Sequence, residues 1–354
     1  MASSATSKNM ADCIIIGAGL SGLTTAYYTG QKTGVQPLIL EARNETGGRI
    51  KTSDAIDLGA TWLGEQHQNL LHLLDELNLE IFPQYQKGKS MFVQSTSTPP
   101  HYFYTQENEN PTFRISGGSS HLIKRLKTEI NAEIKLGIRV DEIRDKQSHL
   151  EVISKNNIFK AKKVIITLPP QLAAETIQFS PALPDALLAT MELTHTWMSN
   201  AIKVGLTYKT PFWRKNDLSG TLIAPNGPVM ELYDHSHPQE HCYGLMGFAN
   251  EALRGHPADK REGIIVAFLA DYFGPEARQY LAYKEKDWLL DDCTATERSK
   301  SIYMHPAYGN EAWEKPYMVG KLLFSGSETS DDFGGYMEGA VASGIKAAAF
   351  CGTG

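Results

Sequence analysis

Three glycines, Gly17, Gly19 and Gly22, follow the β-branched run Cys13-Ile14-Ile15-Ile16 and enter a helical pattern that includes Leu20, Ser21 and Leu23. The spacing suits the binding of a dinucleotide. Gly17 permits a tight turn, Gly19 lets the backbone approach a pyrophosphate, and Gly22 lets the helix lie close to a sheet. The N–H groups at that helix start face the phosphates. Glu41 stands 24 positions after Gly17, at the end of the apolar run Leu38-Ile39-Leu40, where its carboxylate can accept hydrogen bonds from a ribose. Beyond Ala42, two guanidinium groups, Arg43 and Arg49, bracket a second glycine pair, Gly47-Gly48. They are suited to clamping a pyrophosphate already lying on the first turn.

Lys203 is a second candidate. In the alternating run 201–208, Ile202, Val204, Leu206 and Tyr208 share one face and Ala201, Lys203, Gly205 and Thr207 the other. Its small neighbours leave the lysine room to reach a partner, although a solvated strand lysine has the same pattern. Asp234, His235, His237, His241 and Cys242 are zinc-ligating types, but their spacing matches no closed zinc site, and no metal is expected. His195 and His305 read as structural.

The 354 residues suffice for about two domains, and a net charge of −6 with mixed signs offers no basic stripe for nucleic acid or membrane. Cys13, Cys242, Cys293 and Cys351 share no motif spacing and read as reduced, intracellular thiols. Residues 1–10 lack an apolar export signal, and no apolar run reaches the roughly 18 residues of a membrane span. A cytoplasmic protein is expected.

The positioning elements follow from periodicity. Leu70, Leu73, Leu74 and Leu77 make one face of a helix within 64–80, and Leu122, Leu126 and Ile130 one face of another over 119–130. Residues 164–168 form a buried strand stopped by Pro169-Pro170. Residues 85–111, polar and proline-broken around Tyr102-Phe103-Tyr104, read as a hairpin and loop. An antiparallel block spans 201–208, 220–223, 229–233 and 243–248, closed by helices over 259–272 and 275–281. A small-residue helix begins near Tyr336, opened by Gly334-Gly335.

With these motifs in hand, the chain resembles the flavin-containing amine oxidases of the monoamine oxidase type. The matching residues are Gly17-Ala18-Gly19-Leu20-Ser21-Gly22-Leu23, Glu41-Ala42-Arg43, Gly47-Gly48-Arg49, Asp57-Leu58-Gly59-Ala60, Gly326-Ser327-Glu328-Thr329 and Gly335-Tyr336-Met337-Glu338-Gly339-Ala340. The resemblance implies an α/β fold. A Rossmann-like FAD-binding domain is built from residues 1–82, 112–195 and 286–354, beside a smaller substrate domain with an antiparallel sheet from 83–111 and 196–285. It implies non-covalent FAD contacts from the first three groups, from Gly59, Ala60, Thr61 and Trp62, from the backbone at Val140, from Trp288, and from Gly326, Ser327, Glu328, Gly335, Tyr336 and Met337. Lys203 matches the lysine that reaches flavin N5 through a water, and Tyr336 an aromatic wall beside the flavin. The implied reaction is oxidation of an amine C–N bond to an imine, with O2 reduced to peroxide.

Three departures bear on this. Relatives carry a helical section on the order of a hundred residues where this chain has the short 85–111 segment. Counting from Trp288 places Glu297 or Arg298 where a second tyrosine wall is expected, so the aromatic cage is incomplete unless Tyr303 or Tyr308 supplies a ring. The same count finds no cysteine for a covalent flavin link. An FAD-dependent desaturase or isomerase, or a flavin protein completed by a partner subunit, are the alternatives. A homo-oligomer is compatible with either, and the absence of a C-terminal apolar tail implies a soluble member.

Overall fold

Strand β1, Ala11–Ile16, forms from β-branched residues that are almost all fully buried, as a strand covered on both faces requires. It runs parallel to Leu38–Leu40 (β2) on one side and to Asn157–Ile166 on the other. The computed structural model describes residues 10–95, 97–105, 111–155, 157–238, 242–300 and 306–352. Tyr303, His305 and His241 lie outside them. Contacts divide the chain into two compact units. One contains the segment ending at Arg49, Ile123–Trp197 and the segment from Asp292; the other contains Ile50–Leu122 and Met198–Asp291. Residues 50–82 and 112–122, grouped with the nucleotide-binding segments in the sequence reading, therefore pack with the second unit.

In the first unit an eight-stranded mixed sheet runs Glu133–Lys135, β2, β1, Asn157–Ile166, Leu150–Ser154, Glu142–Asp145, Gln178–Ser180, with Leu322–Phe324 also parallel to Asn157–Ile166. Helix α1, Leu20–Thr33, leaves the glycine turn and stops at Gly34, whose φ of 70° is left-handed. The C-terminal helix Met337–Gly352 packs closely on α1. A Cβ on Gly344 would lie 2.8 Å from the Ser21 carbonyl oxygen, and Ser21 Oγ hydrogen-bonds the hydroxyls of Ser325 and Ser343 at 2.9 and 3.2 Å. Both ends of the chain thus meet on one sheet. The same packing brings Cys13 to Cys351, with Cα atoms 5.9 Å apart, in a disulfide. This corrects the expectation of reduced thiols for that pair. A separation of 338 residues carries no spacing signal, and only the seating of the last helix on β1 brings the sulfurs together.

The second unit holds a seven-stranded sheet in the order Ala282–Asp287, Ile202–Tyr208, Tyr243–Ala249, Val229–Asp234, Leu218–Ile223, Lys89–Phe92, His101–Tyr104. It is antiparallel except where Leu218–Ile223 meets Lys89–Phe92. Its core includes Trp213, Leu222, Leu232, Leu245, Ile265 and Leu269, all fully buried. The leucine-striped helix, Gln68–Glu76, belongs to this unit, with Leu70, Leu73 and Leu74 buried. Lys89–Phe92 and His101–Tyr104 form the expected hairpin. The strand Ala282–Asp287 was not legible. Its sequence Ala-Tyr-Lys-Glu-Lys-Asp has poor strand propensity, and pairing along Ile202–Tyr208 overrides it. Residues 275–281 hold only the short 3₁₀ turn Pro275–Arg278 in place of the expected helix. Among the described residues no helix is long and apolar enough to cross a membrane.

Candidate active site

The glycine turn is built to keep side chains off the start of α1. Gly17 has φ 106°, and a Cβ on Gly22 would sit 2.1 Å from the Gly17 carbonyl oxygen, so neither position accepts a side chain as placed. The second glycine turn lies against the first. The Gly47 N–H donates to the Ala18 carbonyl at 2.9 Å, and a Cβ on Gly48, itself at φ 59°, would lie 3.1 Å from Gly19 Cα. No acidic residue occupies the first turn of α1, so nothing there repels a phosphate. Glu41, almost fully buried, accepts from the Ala18 N–H at 2.7 Å and from the Arg43 N–H at 2.8 Å. A carboxylate has about four acceptor positions, so two remain for ribose hydroxyls. This cradle fits the adenosine diphosphate half of FAD.

The two arginines have different tasks. Arg43 donates to Thr294 Oγ1 at 2.8 Å and lies 3.8 Å from Glu41. Arg49, expected to clamp a pyrophosphate, makes a two-pronged pair with Glu328, at 2.6 and 2.9 Å, and also donates to Ser327 Oγ at 2.9 Å. Glu328 is fully buried. Burial pushes its carboxyl up, but the Arg49 charge and hydrogen bonds outweigh this and hold it below the usual carboxylate range. The pair ties the Gly47-Gly48-Arg49 turn to the Gly326-Ser327-Glu328 turn across 279 residues of sequence.

Around that tie lies the start of the C-terminal helix. Gly326 has φ 130° and Gly335 φ 87°, and the Gly335 N–H donates to the Ser327 carbonyl at 3.1 Å. Met337 is buried, whereas the Tyr336 ring is partly exposed. Tyr308 donates its hydroxyl to the His195 carbonyl at 2.8 Å and crowds Gly334. Glu297 and Arg298, where a second tyrosine wall was sought, form a short 3₁₀ turn and supply no ring. Val140 belongs to the core of this unit.

In the second unit Lys203 is buried, with 4% of its surface exposed. Its ammonium donates to the carbonyls of Asp57 (3.2 Å) and Gly59 (2.7 Å) and to Thr61 Oγ1 (2.6 Å), and lies 5.2 Å from both the Trp62 and Phe248 ring centres. Three acceptors match its three donors, so it is not a solvated strand lysine. Burial lowers it to about 7, against a partial rise from Asp57. Trp288 donates its indole N–H to the Leu58 carbonyl at 2.8 Å, and the Ala60 carbonyl accepts from Ser119. Gly59, Ala60, Thr61, Trp62, Trp288 and Lys203 are therefore brought together around one turn.

The sequence reading missed the charges behind this turn. Asp57 is buried with the His235 ring 3.5 Å from its carboxylate, and accepts from Thr52 Oγ1 and the Ser119 N–H. Burial alone would raise its carboxyl, but His235, Thr52 and Ser119 hold it below the usual range. His235, which burial and Arg114 push down to about 4, is neutral and accepts the Asp57 N–H. Asp234 accepts from Trp213, Arg214 and the Ser236 N–H. These residues of the zinc-like cluster are thus engaged by protein partners.

A Rossmann-like cradle and a glycine-opened C-terminal helix, joined by a buried ion pair, define a dinucleotide-binding flavoprotein. The model of the family described as flavin containing amine oxidoreductase matches residues 87–350, and that of the NAD(P)-binding Rossmann-like domain residues 15–77. The chain belongs to the flavin containing amine oxidoreductase family and is an oxidoreductase with FAD as its cofactor. Among its relatives, flavin-containing amine oxidase B of Rattus norvegicus is 25% identical over 96% of this chain and 86% of its own. A probable flavin-containing monoamine oxidase A of Dictyostelium discoideum is 24% identical over 95% of this chain and 96% of its own. The rat alignment runs to 455 positions although this chain has 354 residues, so part of that relative has no counterpart here. Two solved structures share the fold. Putrescine oxidase bound to putrescine superposes with a TM-score of 0.82, at 23% identity over 96% of this chain and 98% of that one. Cyclohexylamine oxidase from Brevibacterium oxydans has a TM-score of 0.81 at 22% identity, over 97% and 99%.

Proposed function

We propose that the protein oxidises the C–N bond of a small-molecule amine to an imine, using dissociable FAD and O2. The family membership supports amine oxidation, and the observation that carries it to this chain is the cradle of paired glycine turns, in which backbone and small residues leave the helix start open to a diphosphate. FAD held by Glu41 and the α1 start would supply the two-electron chemistry that couples oxidation of the amine to reduction of O2 to hydrogen peroxide. The protein's part is to hold and orient. Glu41 and the α1 start anchor the nucleotide half, the Arg49–Glu328 tie fixes the C-terminal turn, and Tyr336 offers an aromatic face to the amine. Water then hydrolyses the released imine to an aldehyde and an amine or ammonia. Peroxide release by purified holoenzyme with an amine panel, beside anaerobic bleaching of the flavin, tests the reading. Bleaching without peroxide would replace the oxidase by a dehydrogenase, and no bleaching by any amine would remove amine chemistry altogether.

Lys203 acts here through charge. An ammonium in a dry site stabilises negative charge as electrons move to oxygen. Lys203→Met is expected to retain FAD while reoxidation by O2 slows at least about tenfold, measured by stopped-flow after anaerobic reduction. An unchanged rate removes Lys203 from the mechanism.

Two opposite pH effects follow. Reduction needs the neutral substrate amine, because an ammonium has no lone pair to support hydride departure, so the reduction rate should rise with pH. Reoxidation should fall as pH rises through about 7, where Lys203 loses its charge, and that fall should vanish in Lys203→Met. Rates of both steps that stay flat from acid to alkali would contradict the assignment.

A further inference from the structure

Residues 297 and 298, where the second tyrosine wall was sought, are both charged. The first unit places a different ring against Tyr336. The Trp197 indole lies 5.6 Å from the Tyr336 ring centre, with the planes inclined by only 30°. Both rings are partly exposed, Trp197 at 36% and Tyr336 at 45%, while their backbones are held firmly. The Trp197 N–H donates to Glu328 Oε1 at 3.3 Å and its carbonyl accepts from Arg49 Nη1 at 3.4 Å, so the buried ion pair that joins the two glycine turns also seats this tryptophan. Gly335 makes room for it: a Cβ there would lie 2.5 Å from Trp197 Cβ. Immediately afterwards Met198 takes a φ of 59°, a left-handed conformation unusual for a side-chain-bearing residue, as the chain turns away.

At 5.6 Å the two rings are too close to hold an amine between them, so they do not form a two-walled slot. Rings this close and this nearly parallel overlap with an offset, and both stay partly exposed as one aromatic patch. Such a patch attracts the positive edge of an aromatic group and buries apolar area. We infer that Trp197 is a specificity-determining residue of the substrate site, extending the aromatic wall of Tyr336 and selecting amines that carry an aromatic or bulky apolar group. This deepens the amine-oxidation reading and rests on it.

The test uses binding rather than turnover. α,α-Dimethylbenzylamine and tert-butylamine both lack a hydrogen on the α-carbon, so neither can be oxidised, and they differ by a phenyl group. Each is titrated into the holoenzyme while the visible flavin spectrum is followed. Wild type is expected to bind the benzyl compound at least about tenfold more tightly. Trp197→Ala should reduce that preference to less than about threefold with unchanged FAD content, and Trp197→Phe should restore most of it. A preference as large in Trp197→Ala as in wild type overturns the inference. If neither compound perturbs the wild-type spectrum and no oxidisable amine bleaches it, the underlying amine reading fails instead, and the inference with it.

Discussion

Gly22→Val is expected to purify without flavin colour and to regain none when FAD is added. The valine Cβ would fall 2.1 Å from the Gly17 carbonyl oxygen, a backbone atom that can move only if the turn carrying Gly17, Ala18 and Gly19 moves with it. That turn is also the donor to Glu41 and the acceptor from Gly47, so displacing it disturbs both glycine turns and the ribose carboxylate together. Forcing bulk into such a contact costs about 1–3 kcal/mol in stability. The effect on FAD affinity should be larger, on the order of a hundredfold or more, because backbone N–H groups bind a phosphate only when prearranged. Gly30→Ala in the same helix is the control. Its Cβ meets nothing within 4 Å, and alanine favours the helix, so this variant should remain yellow. Stoichiometric FAD in Gly22→Val would show that the cradle does not bind the pyrophosphate.

Arg49→Met should be the more damaging half of an unequal pair. It leaves the fully buried Glu328 carboxylate without its countercharge, which typically costs 3–5 kcal/mol. Glu328→Leu strands a guanidinium that still reaches solvent, being 26% exposed, and should cost less than Arg49→Met. The double variant should recover much of the loss, since an apolar pair of similar volume is often neutral. The pH dependence separates this from loss of packing. In wild type the folded carboxyl is depressed, so its contribution is present above its ordinary value near 4.5 and lost as pH falls through the depressed one. In Arg49→Met the folded carboxyl is raised above its unfolded value. The native state then binds the extra proton, and stability should increase on acidification from neutral toward pH 5. Urea unfolding of both proteins across that range checks that the variant gains stability on acidification while the wild-type pair contributes no such gain. Equal costs for the two single variants, or the same pH dependence in variant and wild type, would mean that the pair is not the tie described here.

Much of the site was legible because it is local. The turn at Gly17–Gly22 and the stop at Pro169-Pro170 are fixed by backbone freedom within a few residues, and the leucine stripe at Leu70–Leu77 by helical period. Motif order then linked the two ends. The strand Ala282–Asp287 was hidden because its charged residues have no strand period, and pairing with Ile202–Tyr208 alone makes it one. Asp57 stood within a recognised motif, but its partner His235 lies 178 residues away, and nothing near either residue signals the other. Trp197 is an isolated tryptophan in sequence, without periodicity or motif.

Residue types and spacing by themselves determined the kind of cofactor cradle, the α/β character and the presence of one lysine set among small neighbours. Each depends on steric rules that act over a few residues. Tertiary structure alone decided that Arg49 pairs with Glu328, that Cys13 joins Cys351, that Lys203 is held by the turn at 57–61, and that Trp197 lies against Tyr336. Those partnerships arise when helices and strands far apart in sequence pack together. Burial then makes each polar group depend on whichever partner the packing has put within hydrogen-bond distance, and no local rule names that partner.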